Sequence, residues 1–297
     1  PAIRRYARQL GVPVAEVTGS GPHGRILRED IEAWIKARLS MPRPEAPAAP
    51  SGALSALPGW PRVDFAAFGP VERQKLSRIV RISGPALTRN AIFIPHVTNF
   101  DTADVTALEE FRKELNAEAS EGGAKMTMLA FAVRAVVAAL KDHPRFNASL
   151  DGDELVLKKY WHIGVAADTP EGLVVPVLRD ADRKGLREIA AEMAELAAAA
   201  RAGRLKPADM QGATFTISSL GGVGGTNFTP IINAPEVAIL GMTRAAIQPV
   251  WDGAAFQPRL IQPLSLSWDH RAVDGVAAAR FLGQVARLMS DYRRVAL

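Results

Sequence analysis

Two clusters of residues in this sequence have types and spacings that could do chemistry. The first is Asp269-His-Arg-Ala-Val-Asp274-Gly275, which follows the run Leu264-Ser-Leu-Ser-Trp268. That run reads as the end of a strand at 260–268, and residues from about 274 to 292 read as a helix. The spacing His-x-x-x-Asp-Gly therefore puts the imidazole of His270 at a strand end and the carboxylate of Asp274 at a helix start. A loop held between rigid elements can present such groups to a cleft, so a catalytic His270 is one reading. A helix-capping Asp274 beside an incidental histidine is the other.

The second cluster is Ser218-Ser219-Leu-Gly-Gly-Val-Gly-Gly225. A strand at 213–218 leads into two serines and four glycines, crowding hydroxyls and backbone amides where the chain turns sharply. It is not a dinucleotide fingerprint, because the third position after Gly224 is Asn227. It also lacks G-K-S/T and the G-x-S-x-G elbow. A flexible turn is the plain alternative. Cysteine is absent, which excludes a thiol nucleophile, disulfides and thiolate zinc sites. His23 in a glycine-rich loop, His143 before a proline and His162 on a strand read as structural or surface residues. His96, in Ile94-Pro-His-Val, is harder to place and could line a site. No second histidine stands at ligand spacing from His270, so no metal is expected.

The elements that must position these groups follow from composition and periodicity. No apolar run approaches the 18 or so residues of a membrane span, and no signal-peptide pattern follows Pro1-Ala-Ile-Arg-Arg5, so a soluble, cytoplasmic protein is expected. Residues 38–62 hold six prolines and five alanines without a helical or two-residue apolar period. They read as a linker. The expected organisation is a head at 1–39, a Pro/Ala-rich linker at 40–70 and a body at 71–297. The net charge is +5, and the head holds seven Lys/Arg against four Asp/Glu. A nucleic-acid role is not expected, since the head has no aromatic stacking platform and little positive charge.

Within the head, a helix around 3–10 and a second at 28–39, with Ile31, Trp34 and Ile35 on one face, flank the loop Thr18-Gly-Ser-Gly-Pro-His-Gly-Arg25. Asp30 either accepts hydrogen bonds from the amides of that loop or serves only as an acid at a helix N-terminus. In the body, helices are expected at 102–118, 125–142 and 186–202, and strands at 161–167, 172–178, 213–218, 236–241 and 260–268. The alternation is irregular, which predicts a mixed sheet with helices packed on it.

Taken together, Asp269-His-Arg-Ala-Val-Asp-Gly275, Thr216-Ile-Ser-Ser-Leu-Gly221, Thr229-Pro-Ile-Ile-Asn-Ala-Pro-Glu-Val-Ala-Ile-Leu-Gly241 and Ile163-Gly-Val-Ala-Ala-Asp-Thr-Pro-Glu-Gly-Leu-Val-Val-Pro176 resemble the catalytic domain of the dihydrolipoamide acyltransferases. These are core components of the 2-oxo acid dehydrogenase complexes. The head, through Arg4-Arg-Tyr-Ala-Arg8 and Gly19-Ser-Gly-Pro-His-Gly-Arg-Ile-Leu-Arg-Glu-Asp30, resembles that family's peripheral subunit-binding domain. Ile94-Pro-His-Val-Thr-Asn-Phe-Asp101 and the stretch from Gln248 to His270 bring it nearest the acetyltransferases of bacterial pyruvate dehydrogenase complexes.

The resemblance implies an α/β fold of the chloramphenicol-acetyltransferase type, assembled as trimers and from them an octahedral 24-subunit core, with an active site in a channel between subunits. It implies His270 as general base and Ser218, rather than Ser219, as oxyanion donor, each reaching the channel from a different subunit. Asp274 would orient the active-site loop by charge pairing, and Arg112 matches a position that contacts coenzyme A, although a surface arginine pairing with Glu109 or Glu110 is the ordinary reading. The implied substrates are acetyl-coenzyme A and the lipoyl group of a lipoyl domain. Since 297 residues hold no such domain, the sequence is expected to be a fragment. The implied partners of the head are dihydrolipoamide dehydrogenase or the pyruvate decarboxylating component, docked through Arg4, Arg8 and Arg25. A succinyl or branched-chain acyltransferase, or a non-catalytic core protein that binds subunits, are the alternatives.

Overall fold

The computed structural model describes residues 2–40, 61–119 and 123–296. It divides into two compact units, residues 1–73 and 74–297. Of the expected linker, residues 41–60 lie outside the described residues. Beyond them, Asp64 caps a short 3-10 turn at Phe65–Ala67 by accepting from the Ala66 amide.

The first unit holds α1 (Ala2–Gln9) and α2 (Arg28–Ser40). Ala7, Val12, Val17 and Ile31 are buried, with Trp34 and Ile35 packed against them, as the helical spacing predicts. So small a core leaves the loop to be held by polar contacts. One carboxylate oxygen of Asp30, Oδ2, accepts from the amides of Ser20 (2.9 Å) and Leu27 (2.8 Å). The first reading of Asp30 is thus the one observed. The Leu27 amide is the main reason its pKa lies below the ordinary carboxylate value, with Ser20 adding to it. Gly19 is required there, since a Cβ would come within 2.4 Å of the Gly24 carbonyl.

The second unit is a mixed seven-stranded sheet. In chain order it comprises α3 (Arg78–Phe93), β1 (His96–Asp104), α4 (Thr106–Ala117), α5 (Met128–Asp142), β2 (Ala148–Asp151), β3 (Glu154–Leu157), β4 (Ile163–Val165), β5 (Val177–Leu178), α6 (Leu186–Arg201), β6 (Phe215–Ser219), β7 (Ala238–Met242), β8 (Ala246–Trp251), β9 (Phe256–Asp269) and α7 (Gly275–Ser290). The strand order is β1-β9-β7-β6-β4-β5, with β8 paired to the first half of β9, while β2 and β3 form a separate hairpin. Strands β4, β6 and β7 run parallel, and β9 runs antiparallel to β7 and β1.

Alternation along the strands gives the sheet two faces. Phe215, Ile217, Leu240, Leu264, Leu266 and Trp268 join the main core with α5 and α7, and α5 is buried almost all round as its apolar composition predicts. Thr216, Ser218, Ile239, Gly241, Ser265 and Ser267 belong to the other face. There Ile94, Ile232 and Ile239 form a small cluster of their own beneath the 231–236 segment.

Three expectations are corrected. The helix expected at 102–118 begins only at Thr106, because residues 96–104 extend the sheet as β1. Helix α3 was not expected, since Gly84 and Pro85 lie inside it; Ser77 starts it by accepting from the Val80 amide at 3.2 Å. The strand expected at 172–178 shrinks to Val177–Leu178, with Val174 bridged singly to Ala167.

Candidate active site

His270 follows the last residue of β9 in a turn held from both sides. The buried Asp269 carboxylate takes the Arg271 guanidinium on both oxygens, Nε to Oδ1 at 2.9 Å and Nη2 to Oδ2 at 2.6 Å, and also accepts the Arg271 amide. The Asp269 carbonyl accepts from the amides of Ala272 and Val273, and the His270 amide donates to the Pro95 carbonyl. Before it, the buried Trp268 donates its indole N–H to Asn99 at 2.7 Å and lies 4.7 Å from the His270 ring, centre to centre. The imidazole is exposed and has no hydrogen-bond partner among the described residues. Backbone fixation with a free, accessible ring is what a proton acceptor for a diffusible substrate requires.

Asp274 is the N-cap of α7. Its Oδ1 accepts from the amides of Val276 (3.0 Å) and Ala277 (2.9 Å). The Ala277 bond leads the causes that hold its pKa below the ordinary value, followed by Val276 and then the charges of Arg145 and Arg280. Asp274 therefore caps the helix, and the arginines that feel its charge are Arg145 and Arg280.

Ser218 lies at the C-terminal end of β6, opposite Gly241 on β7. Its hydroxyl has no hydrogen-bond partner among the described residues. Gly241 is needed beside it, because a Cβ there would meet Ser265 Oγ at 2.3 Å and the Phe228 ring at 2.8 Å. Beyond β6 the chain turns tightly, with the amides of Val223 and Gly224 both donating to the Leu220 carbonyl. Val223 is 88% exposed.

Within one chain these groups do not meet. Ser218 is level with Gly241 and, across it, with Ser265 on β9, whereas His270 lies five residues beyond Ser265. At about 3.3 Å per residue and about 4.8 Å per strand, the separation is roughly 15–20 Å.

Arg112 on α4 pairs with Glu109, Nε to Oε2 and Nη2 to Oε1 both at 2.7 Å, and donates through Nη1 to the Met126 carbonyl at 3.1 Å. It also lines a cleft with Lys125, Ser219 and Arg244. Ser219 thus faces Arg112's side of the sheet and Ser218 the other. In the first unit, Arg4 and Arg8 are exposed one turn apart on α1, and Arg25 is exposed at the end of the glycine loop. None of the three makes an ion pair among the described residues.

His96 does not line a free site. Its Nδ1 lies 2.8 Å from the Ile94 carbonyl and its Nε2 accepts the Ile232 amide at 3.0 Å, so the ring pins the 231–236 segment to β1. His143 Nε2 bonds Gln284 at 2.9 Å, and His162 Nδ1 accepts the Asp180 amide. Both are structural, as read from sequence. The Asp269–Arg271 clamp was missed as a functional element, although its two members flank His270 in sequence. Among the described residues no His/Asp/Glu group could hold a metal, and no helix is long and apolar enough to cross a membrane.

Comparison with known proteins places this arrangement. Residues 68–297 match the model of the 2-oxoacid dehydrogenases acyltransferase catalytic domain, and residues 1–32 match that of the E3-binding domain. The dihydrolipoyllysine-residue acetyltransferase component of the pyruvate dehydrogenase complex from Cupriavidus necator is 58% identical over 303 residues, covering 100% of this chain and 54% of that protein. Its counterpart from Pseudomonas aeruginosa is 50% identical over 299 residues, with the same coverage. The chain spans about half the length of the curated relatives it matches. Two solved structures, the cubic core of a pyruvate dehydrogenase multienzyme complex and the dihydrolipoamide acetyltransferase of Azotobacter vinelandii, each align with TM-score 0.80 at 52% identity over 81% of this chain and 100% of theirs. The Azotobacter work concerns a serine, a histidine 52 positions later and an asparagine four positions beyond that, and their role in the catalytic mechanism. With the acyltransferase model matched across the whole sheet unit and relatives at this identity, the chain belongs to the 2-oxoacid dehydrogenase acyltransferase family.

Proposed function

We propose that this chain transfers an acetyl group between the dihydrolipoyl group of a lipoyl domain and coenzyme A, at a site composed from two copies of the chain. The observation that carries this reading is the position of two free reactive side chains, Ser218 and His270, at opposite ends of one sheet, where each can complete a site only with a neighbour's partner group. The spacings support the assignment: Ser218 precedes His270 by 52 positions and Asp274 follows by four, as in the Azotobacter enzyme's serine, histidine and asparagine.

The nucleophile is the substrate's own thiol. A thiol of pKa about 8.5 is only a few per cent ionised at pH 7, so His270 takes its proton as the sulfur attacks the acetyl thioester. Charge then develops on the carbonyl oxygen, to which the Ser218 hydroxyl donates. When the tetrahedral adduct collapses, the other thiolate leaves and recovers the proton from His270. The Asp269–Arg271 clamp and the Asp274 cap hold the histidine turn while charge moves. Asparagine caps a helix as well as aspartate does, so the Asp274 difference from the Azotobacter enzyme leaves the cap in place. Arg112, Lys125 and Arg244 offer positive charge to the phosphates of coenzyme A, with Arg112 oriented by Glu109.

The same reading makes residues 71–297 the catalytic domain, residues 40–70 a linker, and residues 1–39 the head that docks dihydrolipoamide dehydrogenase or the decarboxylating component through Arg4, Arg8 and Arg25. It also makes the assembly a trimer-based cytoplasmic core, octahedral as in the cubic relative. Transfer to dihydrolipoamide from acetyl-, succinyl- and isobutyryl-coenzyme A, measured in parallel, tests it. The acetyl donor should give the highest kcat/KM. Preference for either other donor would reassign the substrate, and no transfer from any would leave a non-catalytic core protein.

A further inference from the structure

Glu236 is a buried ionisable group that the transfer chemistry does not use. It stands just before β7, is 3% exposed, and accepts the Asn233 side-chain amide on Oε1 at 2.9 Å. Its Oε2 is buried without a hydrogen-bond partner. Thr216 on β6, 1% exposed, faces this carboxyl, and its Oγ1 is likewise buried and unpartnered. The Thr216 hydroxyl sits over the bare Cα of Gly164 on β4, where a Cβ would approach it to 2.6 Å. Thr216 is two residues before Ser218 and shares its face of the sheet.

The Thr216 hydroxyl can donate to a carboxylate or accept from a carboxylic acid, and which of the two stands there is decided by the surroundings of Glu236. Burial pushes Glu236 up to about 7, against the pull of Thr216, Asn233 and the charge of Lys158. Lys158 follows β3, is the charged group that faces Glu236, and forms no ion pair with it among the described residues; burial lowers its own pKa. An isolated carboxylate in such a place is costly, whereas the neutral acid is not.

We infer that Glu236 is a positioning residue that stands as a neutral acid, donates from Oε2 to Thr216 Oγ1, and so ties the 231–236 segment to β6 beside Ser218. The segment is already held to β1 by His96 and by Asn90, whose side-chain amide donates to the Ile232 carbonyl at 3.0 Å. The Glu236–Thr216 bond is the corresponding fastening on the serine side. It sets the height of β6 against β7 and thereby where the Ser218 hydroxyl stands when a carbonyl oxygen arrives.

The inference rests on the acetyl-transfer reading only for its kinetic arm, and the test is run on the assembled full chain. Glu236→Gln keeps both a donor for Thr216 and an acceptor for Asn233, whereas Glu236→Leu and the nearly isosteric Thr216→Val do not. Acetyl transfer to dihydrolipoamide should fall about tenfold in kcat for the Leu and Val variants with KM for acetyl-coenzyme A within about twofold, and the Gln variant should match wild type. Infrared spectra at pH 6 should show a protonated-carboxyl band that Glu236→Gln removes. Amide exchange at 215–219 should quicken in Glu236→Leu and Thr216→Val alone. A Gln variant as slow as the Leu variant, no such band, or a Thr216→Val protein with unchanged turnover and exchange would each overturn the inference. Should wild type transfer no acyl group, the proposed function falls, and the band and the exchange pattern still decide the bond. If Glu236→Leu does not fold, Thr216→Val carries the comparison.

Discussion

Ser218 and His270 stand at opposite ends of the same sheet: the serine is level with Ser265 on β9, and the histidine leaves that strand five residues later. The separation follows from the antiparallel pairing of β7 with β9, which sends the C-terminal ends of β6 and β9 in opposite directions. A site that needs both groups must therefore take them from two copies. His270→Ala should lower acetyl transfer by at least about 100-fold. Ser218→Ala should lower it by about 10²–10³ with little change in KM. Co-assembly of the two inactive variants in equal amounts should restore about a quarter of wild-type activity, since random mixing rebuilds one site in four. Steady-state assays on unfolded and co-refolded mixtures check this, and a mixture no more active than its parents would place the site within one chain.

Asp274 is predicted to act through the helix cap. Asp274→Asn retains an oxygen for the amides of Val276 and Ala277, so turnover should stay within a few-fold of wild type. Asp274→Ala loses both bonds, and its melting temperature should fall by a few degrees. Calorimetry and kinetics on the two variants separate the cap from the charge. A Asp274→Asn protein as impaired as Asp274→Ala would show that the negative charge itself is needed.

The head should bind its partner enzyme through exposed guanidinium groups. Raising the salt from 0.1 M to 1 M shortens the screening length from about 10 Å to about 3 Å and should weaken the complex markedly. Titration calorimetry with the partner reads this, and Arg4→Ala and Arg8→Ala should each bind more weakly at low salt. Equal affinity for wild type and variants, unchanged by salt, would remove the arginine model.

Glu236 also fixes a pH dependence of stability. Its folded pKa of about 7 lies above the ordinary 4.5, so the folded state holds the proton more tightly than the unfolded chain does. The associated stability is fully present below about pH 4.5 and is lost as the pH rises through 7, by roughly 3 kcal/mol in all. Denaturant unfolding of wild type and Glu236→Gln between pH 5 and 8 should show this loss in wild type only. Parallel pH profiles for the two proteins would mean that the carboxyl ionises in the fold as it does in water.

Much of the site was legible in the sequence because its signals are local. The strand end before His270, the start of α7 at Gly275, the β6 strand that delivers Ser218, and the face of Ile31, Trp34 and Ile35 all follow from the periodicity and capping of consecutive residues. The choice of Ser218 over Ser219 came from resemblance, and the structure adds that alternation turns the two serines to opposite faces. Elements whose local pattern conflicts with their state were not expected: α3 carries an interior proline, and β8 contains Pro249 with every residue exposed. What only the tertiary structure decided is which distant residues meet. His96 accepts the amide of Ile232, 136 residues away; Gly241 makes room for Ser265 and Phe228; Glu236 is shut in against Thr216; and Ser218 is kept apart from His270. Each depends on the strand order β1-β9-β7-β6-β4-β5, in which neighbours are set by pairing across long loops, and a helical or two-residue period carries no information about that order.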